Sequence, residues 1–395
     1  MPVLDTAPII AVVVVVVVVM LGGATTTRAV LPEKIVAGYH WDPSDGKAIR
    51  AVRDGVNVLI WFSIDLGVDG AGRAVVRRGP DPIGVARVAR HLREEVSRDV
   101  VHLVCVGGWN AAHPDASVAP AQMYQAWKRW NEDVVANADL GFPGFAGVDW
   151  DVEGHDDLAA PTNAFTAACL DLIGAFSQLA KRDGYIVSMA PAESYLDATT
   201  TAFDLRLTHA YDEWAGVAPP AFTYHGRNVY AYLLSRYGTT TTTTTTLPGR
   251  VVATFDFVTV QLYESYTHAL YEIGRAGVPP SDFLVAFVRR MADGWHVDFS
   301  NVPALQWPSR RVDVPPPRLV IGLANAWADA SRTLLVLPDD LRRGYDILER
   351  EGIAPRGFAF WCIKHEGDAV PSTGQPLWLA AGLASIVGSS PKDEL

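Results

Sequence analysis

From Leu31 onward, short β-branched apolar runs alternate with stretches in which apolar residues recur every three or four positions. The runs predict strands at 35–39, 56–62, 100–106, 145–153, 185–190, 257–263, 318–323 and 357–362. Between several of them the period becomes that of an amphipathic helix, notably at 83–97, 119–137, 163–182 and 338–351. In the last of these, Asp339 and Asp340 fall in the first turn, where the helix dipole favours anions. Eight strands in strand–helix alternation predict a closed parallel (β/α)8 TIM barrel of the α/β class, a single domain over 30–390.

Two stretches break the rhythm. Residues 192–256 form a long link between the fifth and sixth strands and contain eight consecutive threonines, Thr239–Thr246. An uninterrupted threonine tract has no pattern that buries one face, so it reads as a flexible surface loop. Residues 296–317, ending in Pro315-Pro316-Pro317, are a second irregular excursion.

The two ends read as addresses rather than fold. Ile9 to Leu21 is a run of 13 apolar residues, eight of them the valines Val12–Val19. That is short for a membrane span and suits a signal-peptide core, so stable membrane insertion is not expected once it is cleaved. Small residues follow, and cleavage after Ala24 or Ala29 is expected, giving a signal peptide over 1–29, with an uncleaved anchor and then a buried strand as the other readings of the run. No Lys or Arg precedes the run; Asp5 stands there instead. The chain closes on Lys392-Asp393-Glu394-Leu395, the tetrapeptide read by the ER-retrieval receptor. An entry signal together with a retrieval signal points to the endoplasmic reticulum lumen.

Composition narrows the partners. With 33 basic against 44 acidic residues the net charge is −11, which disfavours nucleic acid and anionic membrane and leaves a neutral polymer such as a glycan compatible. The three cysteines, Cys105, Cys169 and Cys362, allow at most one disulfide. No Asn-X-Ser/Thr sequon occurs. The ten histidines show no HxH or HExxH pairing, so neither a metal nor a cofactor is expected.

The richest segment is Ala146-Gly147-Val148-Asp149-Trp150-Asp151-Val152-Glu153. Side chains at i, i+2 and i+4 of a strand share one face, so Asp149, Asp151 and Glu153 align while Val148, Trp150 and Val152 face the other way. In a barrel the apolar set packs under the helices and the acidic set points inward. Stacked carboxyls in a buried interior repel one another and hold protons at neutral pH, which lets the outermost serve as an acid. Glu153 stands at the C-terminal end of its strand, the rim where barrel enzymes keep their sites.

This run resembles the DxxDxDxE motif of glycoside hydrolase family 18, the chitinases and their relatives, in the form closest to the hevamine-like plant enzymes and some bacterial chitinases. Other segments resemble the family in the right order. They are Cys105-Val106-Gly107-Gly108-Trp109-Asn110, with Cys where Ser is usual; Met189-Ala190-Pro191, with Ala192 where Glu is usual and Glu193 beside it; Val260-Gln261-Leu262-Tyr263; Gly357-Phe358-Ala359-Phe360-Trp361; and Tyr39 on the first strand. The resemblance spans roughly residues 34–362.

It implies a retaining hydrolase of β-1,4-linked N-acetylglucosamine in which the substrate's own N-acetyl carbonyl attacks the anomeric carbon. Glu153 is then the acid, Asp151 orients the acetamide and stabilises the oxazolinium, Asp149 shares a proton with Asp151 from beneath, and Tyr263 donates to the acetamide oxygen. Tyr39, Gly108, Trp109, Met189, Gln261 and Trp361 are implied to bind substrate. Taken alone, Tyr263 and Gln261 equally suit barrel filling, and Trp361 suits a core position. The departure is Ala146, where the motif's first Asp would stand. Other readings of the same resemblance are an endo-β-N-acetylglucosaminidase acting on N-glycans and a non-catalytic glycan-binding lectin on the same barrel; retention of Glu153 favours the enzymes.

Overall fold

The computed structural model describes residues 29–207, 226–242, 249–264, 267–328 and 332–388. The apolar run at 9–21, Thr243–Thr246 and the terminal Lys392–Leu395 lie outside the described residues.

Eight parallel strands close into a barrel. They are β1 (Ile35–His40), β2 (Val58–Val68), β3 (Val101–Gly107), β4 (Gly147–Asp151), β5 (Ile186–Met189), β6 (Phe257–Gln261), β7 (Leu319–Ala324) and β8 (Gly357–Trp361). Each pairs with the next in order, and β8 returns to β1 through the register Ile35↔Gly357 to Gly38↔Phe360, which completes the ring. The chain is therefore a (β/α)8 barrel, as its periodicity predicts.

The two-residue period of each strand sorts its side chains into two layers. Outward residues such as Val148, Trp150, Val152, Val187 and Ile321 join the helices in one large cluster. Inward residues such as Ile35, Ala37, Ile60, Leu103, Cys105 and Phe257 fill the interior. The helices that cover the outside include α1 (Lys47–Arg53), α2 (Pro82–Glu95), α3 (Pro120–Trp130) and α4 (Ala167–Arg182). α2 starts where the Asp81 carboxylate accepts from the Ile83 and Gly84 amides, and Pro82 supplies its first turn without wasting a donor. α3 runs on into a π-helical turn at Asn131–Val135, which accounts for the length of the predicted 119–137 helix.

The two irregular stretches carry more structure than their sequence suggests. Within 192–256, Val229–Tyr237 forms α5, and Thr239–Thr241 pairs antiparallel with Val251–Ala253. The start of the threonine tract is thus a strand and not a loop: threonine is β-branched and suits a pleat once a partner supplies the ladder. Within 296–317, Arg310–Val312 pairs with Trp295–Val297. The remaining helices are α6 (His268–Gly274), α7 (Pro280–Asp293), α8 (Pro338–Arg350) and α9 (Leu379–Val387). Asp339 and Asp340 occupy the first turn of α8. No helix among the described residues is long and apolar enough to cross a membrane. All three cysteines are free and buried.

Candidate active site

Asp149 and Asp151 point into the barrel from β4, while Trp150 between them points out and donates its indole N–H to Ser177 Oγ at 2.8 Å. Glu153 follows just beyond the strand, and its side chain is buried with theirs. All three carboxyls meet at the C-terminal end of the barrel, as the alternation predicts.

Asp149 is the deepest of the three. It accepts from the Tyr39 hydroxyl at 2.9 Å and from Ser188 Oγ at 2.6 Å. Burial pushes it up to about 6, and those two hydrogen bonds pull against the rise. Asp151 and Glu153 interact with one another and share the Gln261 amide. Burial holds both well above the ordinary carboxylate range, and each is raised further by the other acids nearby. Asp149, the expected proton partner of Asp151, accepts from Tyr39 and Ser188 and raises Asp151 by its charge.

Gln261 ties the pair down. Its Nε2 lies 2.8 Å from Asp151 Oδ1, 3.0 Å from Glu153 Oε1 and 2.6 Å from the Ala190 carbonyl. An amide nitrogen carries two hydrogens, so three acceptors crowd one donor and both acids are held on the same side of the cleft. The Cys105 thiol, a weak donor, lies 4.0 Å from Asp151 Oδ2. Asp151, Gln261, Tyr39, Tyr263 and Trp361 line a small pocket of about 10 Å³, room for one water-sized group.

Aromatic rings wall this pocket. Trp361 meets Phe62 edge-on at 4.6 Å and lies 5.8 Å from Tyr39 and 5.7 Å from Trp41. The Trp327 indole donates to the Trp361 carbonyl at 2.5 Å and stands perpendicular to Tyr263 at 6.0 Å. Gly108 earns its place by backbone need: its φ is +99°, and a Cβ there would sit 2.1 Å from the Phe62 ring. Its amide also donates to the Asp151 carbonyl at 2.5 Å.

Two expected binding residues are placed differently. Met189 is fully buried on the outward face of β5, in the cluster that holds Trp150, while its neighbour Ser188 takes the inward position. Strand parity allows only one of the two to face the acids. Trp109 stands by the rim, but its indole N–H is given to Asp156 Oδ1 at 2.8 Å, and Asn110 binds the other Asp156 oxygen at 2.7 Å. Ala146 lies just before β4, about 23 Å along the chain from Glu153 at ~3.3 Å per residue. Glu193 is buried outside the site, accepting from the Ala269 amide at 3.0 Å.

Three residues join the site without having been singled out. Glu264, next to Tyr263, is pushed up to about 7 by burial and raises Asp151, Glu153 and Tyr263 by its charge. Its only signal in the sequence is its place after Tyr263. The Tyr230 hydroxyl accepts from the Val152 amide at 2.7 Å and donates to the Val152 carbonyl at 3.1 Å, gripping the backbone between the two acids. Nothing in the sequence marks Tyr230. His113 Nε2 donates to the Glu153 carbonyl at 2.9 Å while its ring stacks on Phe165 at 4.6 Å. Among the described residues no group of three or more His, Cys, Asp and Glu is placed to hold a metal ion.

No family model matches the sequence, and no curated protein matches it. Solved structures do. A chitinase of glycoside hydrolase family 18 from Pseudoalteromonas aurantia matches at 11% identity over 90% of this chain and 99% of its own, with a TM-score of 0.49. A fungal endo-β-N-acetylglucosaminidase of the same family matches at 13% identity over 92% and 100%, with a TM-score of 0.47. The chitinase ChiC from Aspergillus fumigatus matches at 14% identity over 87% and 94%, with a TM-score of 0.47. The likeness is to the fold. The barrel itself rests on the strand pairings above.

Proposed function

We propose that this chain is a retaining glycosidase that cleaves β-1,4-linked N-acetylglucosamine with the substrate's N-acetyl group as nucleophile. The observation that carries the reading is the buried Glu153–Asp151 pair, both acids held well above the ordinary carboxylate range by burial and tied together through Gln261. In the two-carboxylate retaining scheme the acid and the nucleophile flank the scissile bond about 5 Å apart. Here one Gln261 Nε2 reaches both carboxyls, at 2.8 and 3.0 Å, so they lie side by side, which supports a nucleophile that comes from the sugar.

Glu153 gives its proton to the glycosidic oxygen as the C1–O bond breaks. The acetamide carbonyl oxygen closes on C1, and the positive charge passes to the oxazolinium ring. Asp151, relieved of its proton donor, takes the acetamide N–H and balances that charge. Water then adds to C1, returning one proton to Glu153 and restoring the acetamide, with the product in the β configuration. Tyr263 is positioned to donate to the acetamide oxygen, and Trp361 with Phe62 offers the apolar surface a sugar face needs. Chitin oligomers and the core of an N-glycan both present this unit. An entry signal over 1–29 and the terminal Lys392–Leu395 support the endoplasmic reticulum lumen as the place of action and N-glycans as available substrate.

The test uses chitotetraose beside its fully deacetylated counterpart, with product anomers followed by proton NMR. Cleavage of the acetylated oligomer alone, with β-anomer first, is expected. Equal rates on both, or α-anomer as first product, would remove the substrate-assisted mechanism. Binding of chitotetraose with no cleavage would make the barrel a lectin.

A further inference from the structure

A second, larger cavity of about 600 Å³ lies at the opposite, N-terminal end of the barrel, between α2, the turn at 141–146 and the starts of β3 and β5. Leu92, Phe142, Phe145 and Tyr185, all buried, form its apolar wall, and Ala146 lies among them where the motif's first Asp would have brought a carboxylate. Its volume is in the range of sites for small organic ligands, about 300–1,000 Å³. The acids of the catalytic cleft take no part in it.

One polar group in this wall has a defined orientation. The Trp61 indole N–H, which can only donate, lies 3.0 Å from His102 Nδ1, so Nδ1 must be the acceptor and the ring proton must be on Nε2. His102 is buried, and among the described residues its Nε2–H has no hydrogen-bond partner. Burial, followed by the nearby Arg93 charge, lowers His102 to about 4, so the ring stays neutral and Nε2 stays a donor. Arg93, exposed at the mouth, spends two of its N–H groups on the Leu140 and Gly141 carbonyls at 3.1 and 3.2 Å, and among the described residues it makes no ion pair with a carboxylate. The acids at this cavity, Asp99 and Glu132, are exposed at the rim, and Glu132 is turned to the Tyr185 hydroxyl at 3.2 Å.

We propose that this cavity binds a small monocarboxylic acid with an apolar body, its carboxylate taken by His102 Nε2–H and the Arg93 guanidinium and its body laid against Leu92, Phe142 and Phe145. A donor that opens into an apolar-walled cavity, with an exposed guanidinium at the mouth, suits an acceptor with negative charge; a base or a second cation would match neither. The alanine at 146 keeps the space open and free of a competing carboxylate.

The probe is sodium 4-phenylbutyrate added to the full chain, followed by calorimetry and by the NMR signals of the His102 ring, with 4-phenylbutan-1-ol as the uncharged control. Saturable one-to-one binding that shifts His102 is expected, with the alcohol about ten-fold weaker, the ratio that ~1.4 kcal/mol represents. Arg93→Gln should lose about the same factor. Ala89→Phe, which fills the cavity from α2 and touches nothing in the cleft, should abolish binding and leave hydrolysis of chitotetraose unchanged. Equal affinity for acid and alcohol, no shift at His102, or indifference to both variants would overturn the assignment. Binding seen only after the residues before Ala29 are removed would make those residues the occupant, and would overturn it too.

Discussion

Glu153→Gln isolates the proton. The amide is nearly the shape of the acid and still donates a hydrogen bond to Asp151, so the pair's geometry and Gln261 remain in place. What disappears is a transferable proton at the glycosidic oxygen. General acid catalysis contributes about 10²- to 10⁴-fold, or ~3–5 kcal/mol of barrier at 1.36 kcal/mol per decade. Loss toward the upper end is expected, because the site is closed to bulk water that would otherwise supply protons: Asp149, Asp151 and Glu153 are 0%, 6% and 5% exposed. The assay is kcat on chitotetraose with the dissociation constant measured beside it by calorimetry; kcat should fall by that factor while affinity holds within about three-fold. The pH profile makes the same point. Burial and the Asp151 charge raise Glu153, so it keeps its proton to higher pH than an ordinary carboxyl, and wild-type activity should be lost as pH rises through that elevated value. The Gln variant should lack this limb. A folded variant that cleaves at near the wild-type rate would refute the assignment of Glu153 as acid.

Tyr230→Phe removes both bonds to the Val152 backbone and leaves its buried amide unpaired, at about 1–3 kcal/mol; kcat should drop about ten-fold with KM and the pH profile unmoved, and a wild-type kcat would show the grip to be irrelevant to the acids. Glu193 is raised to about 7 chiefly by burial, so the folded state binds more protons than the unfolded one. Its favourable contribution is complete below about pH 4.5 and is lost as pH rises through about 7, costing roughly 3 kcal/mol above that. Glu193→Gln should accordingly raise Tm at pH 8 more than at pH 5 in calorimetric scans, and an equal change at both would contradict the linkage. Deleting Lys392–Leu395 should send folded protein into the medium of expressing cells, and continued retention would count against the retrieval signal.

The barrel and its acidic triad were legible in the sequence because both depend on local period. A strand alternates every two residues, so Asp149, Asp151 and Glu153 could face only one way once Val148, Trp150 and Val152 were assigned to the helices. The same rule, applied to β5, excludes Met189 from the site once Ser188 is known to face Asp149. The parity of a four-residue strand that is buried on both faces cannot be read from its own residues, and the motif pointed to the wrong one. Thr239–Thr241 carries no pattern of its own either; a partner strand at Val251–Ala253 decides that it is extended.

The contacts that gather three carboxyls into one buried cluster belong to the tertiary structure. Gln261 reaches both acids from a strand more than a hundred residues away, Tyr230 grips Val152 from the long link, and Glu264 adds its charge from beyond β6. Protonation depends on burial and on which charges share a small volume, and both are set by ring closure. By itself the sequence determined which faces point inward. Only the closed barrel lifted those carboxyls above their ordinary range, because desolvation and the shared contact with Gln261 exist only once distant strands meet.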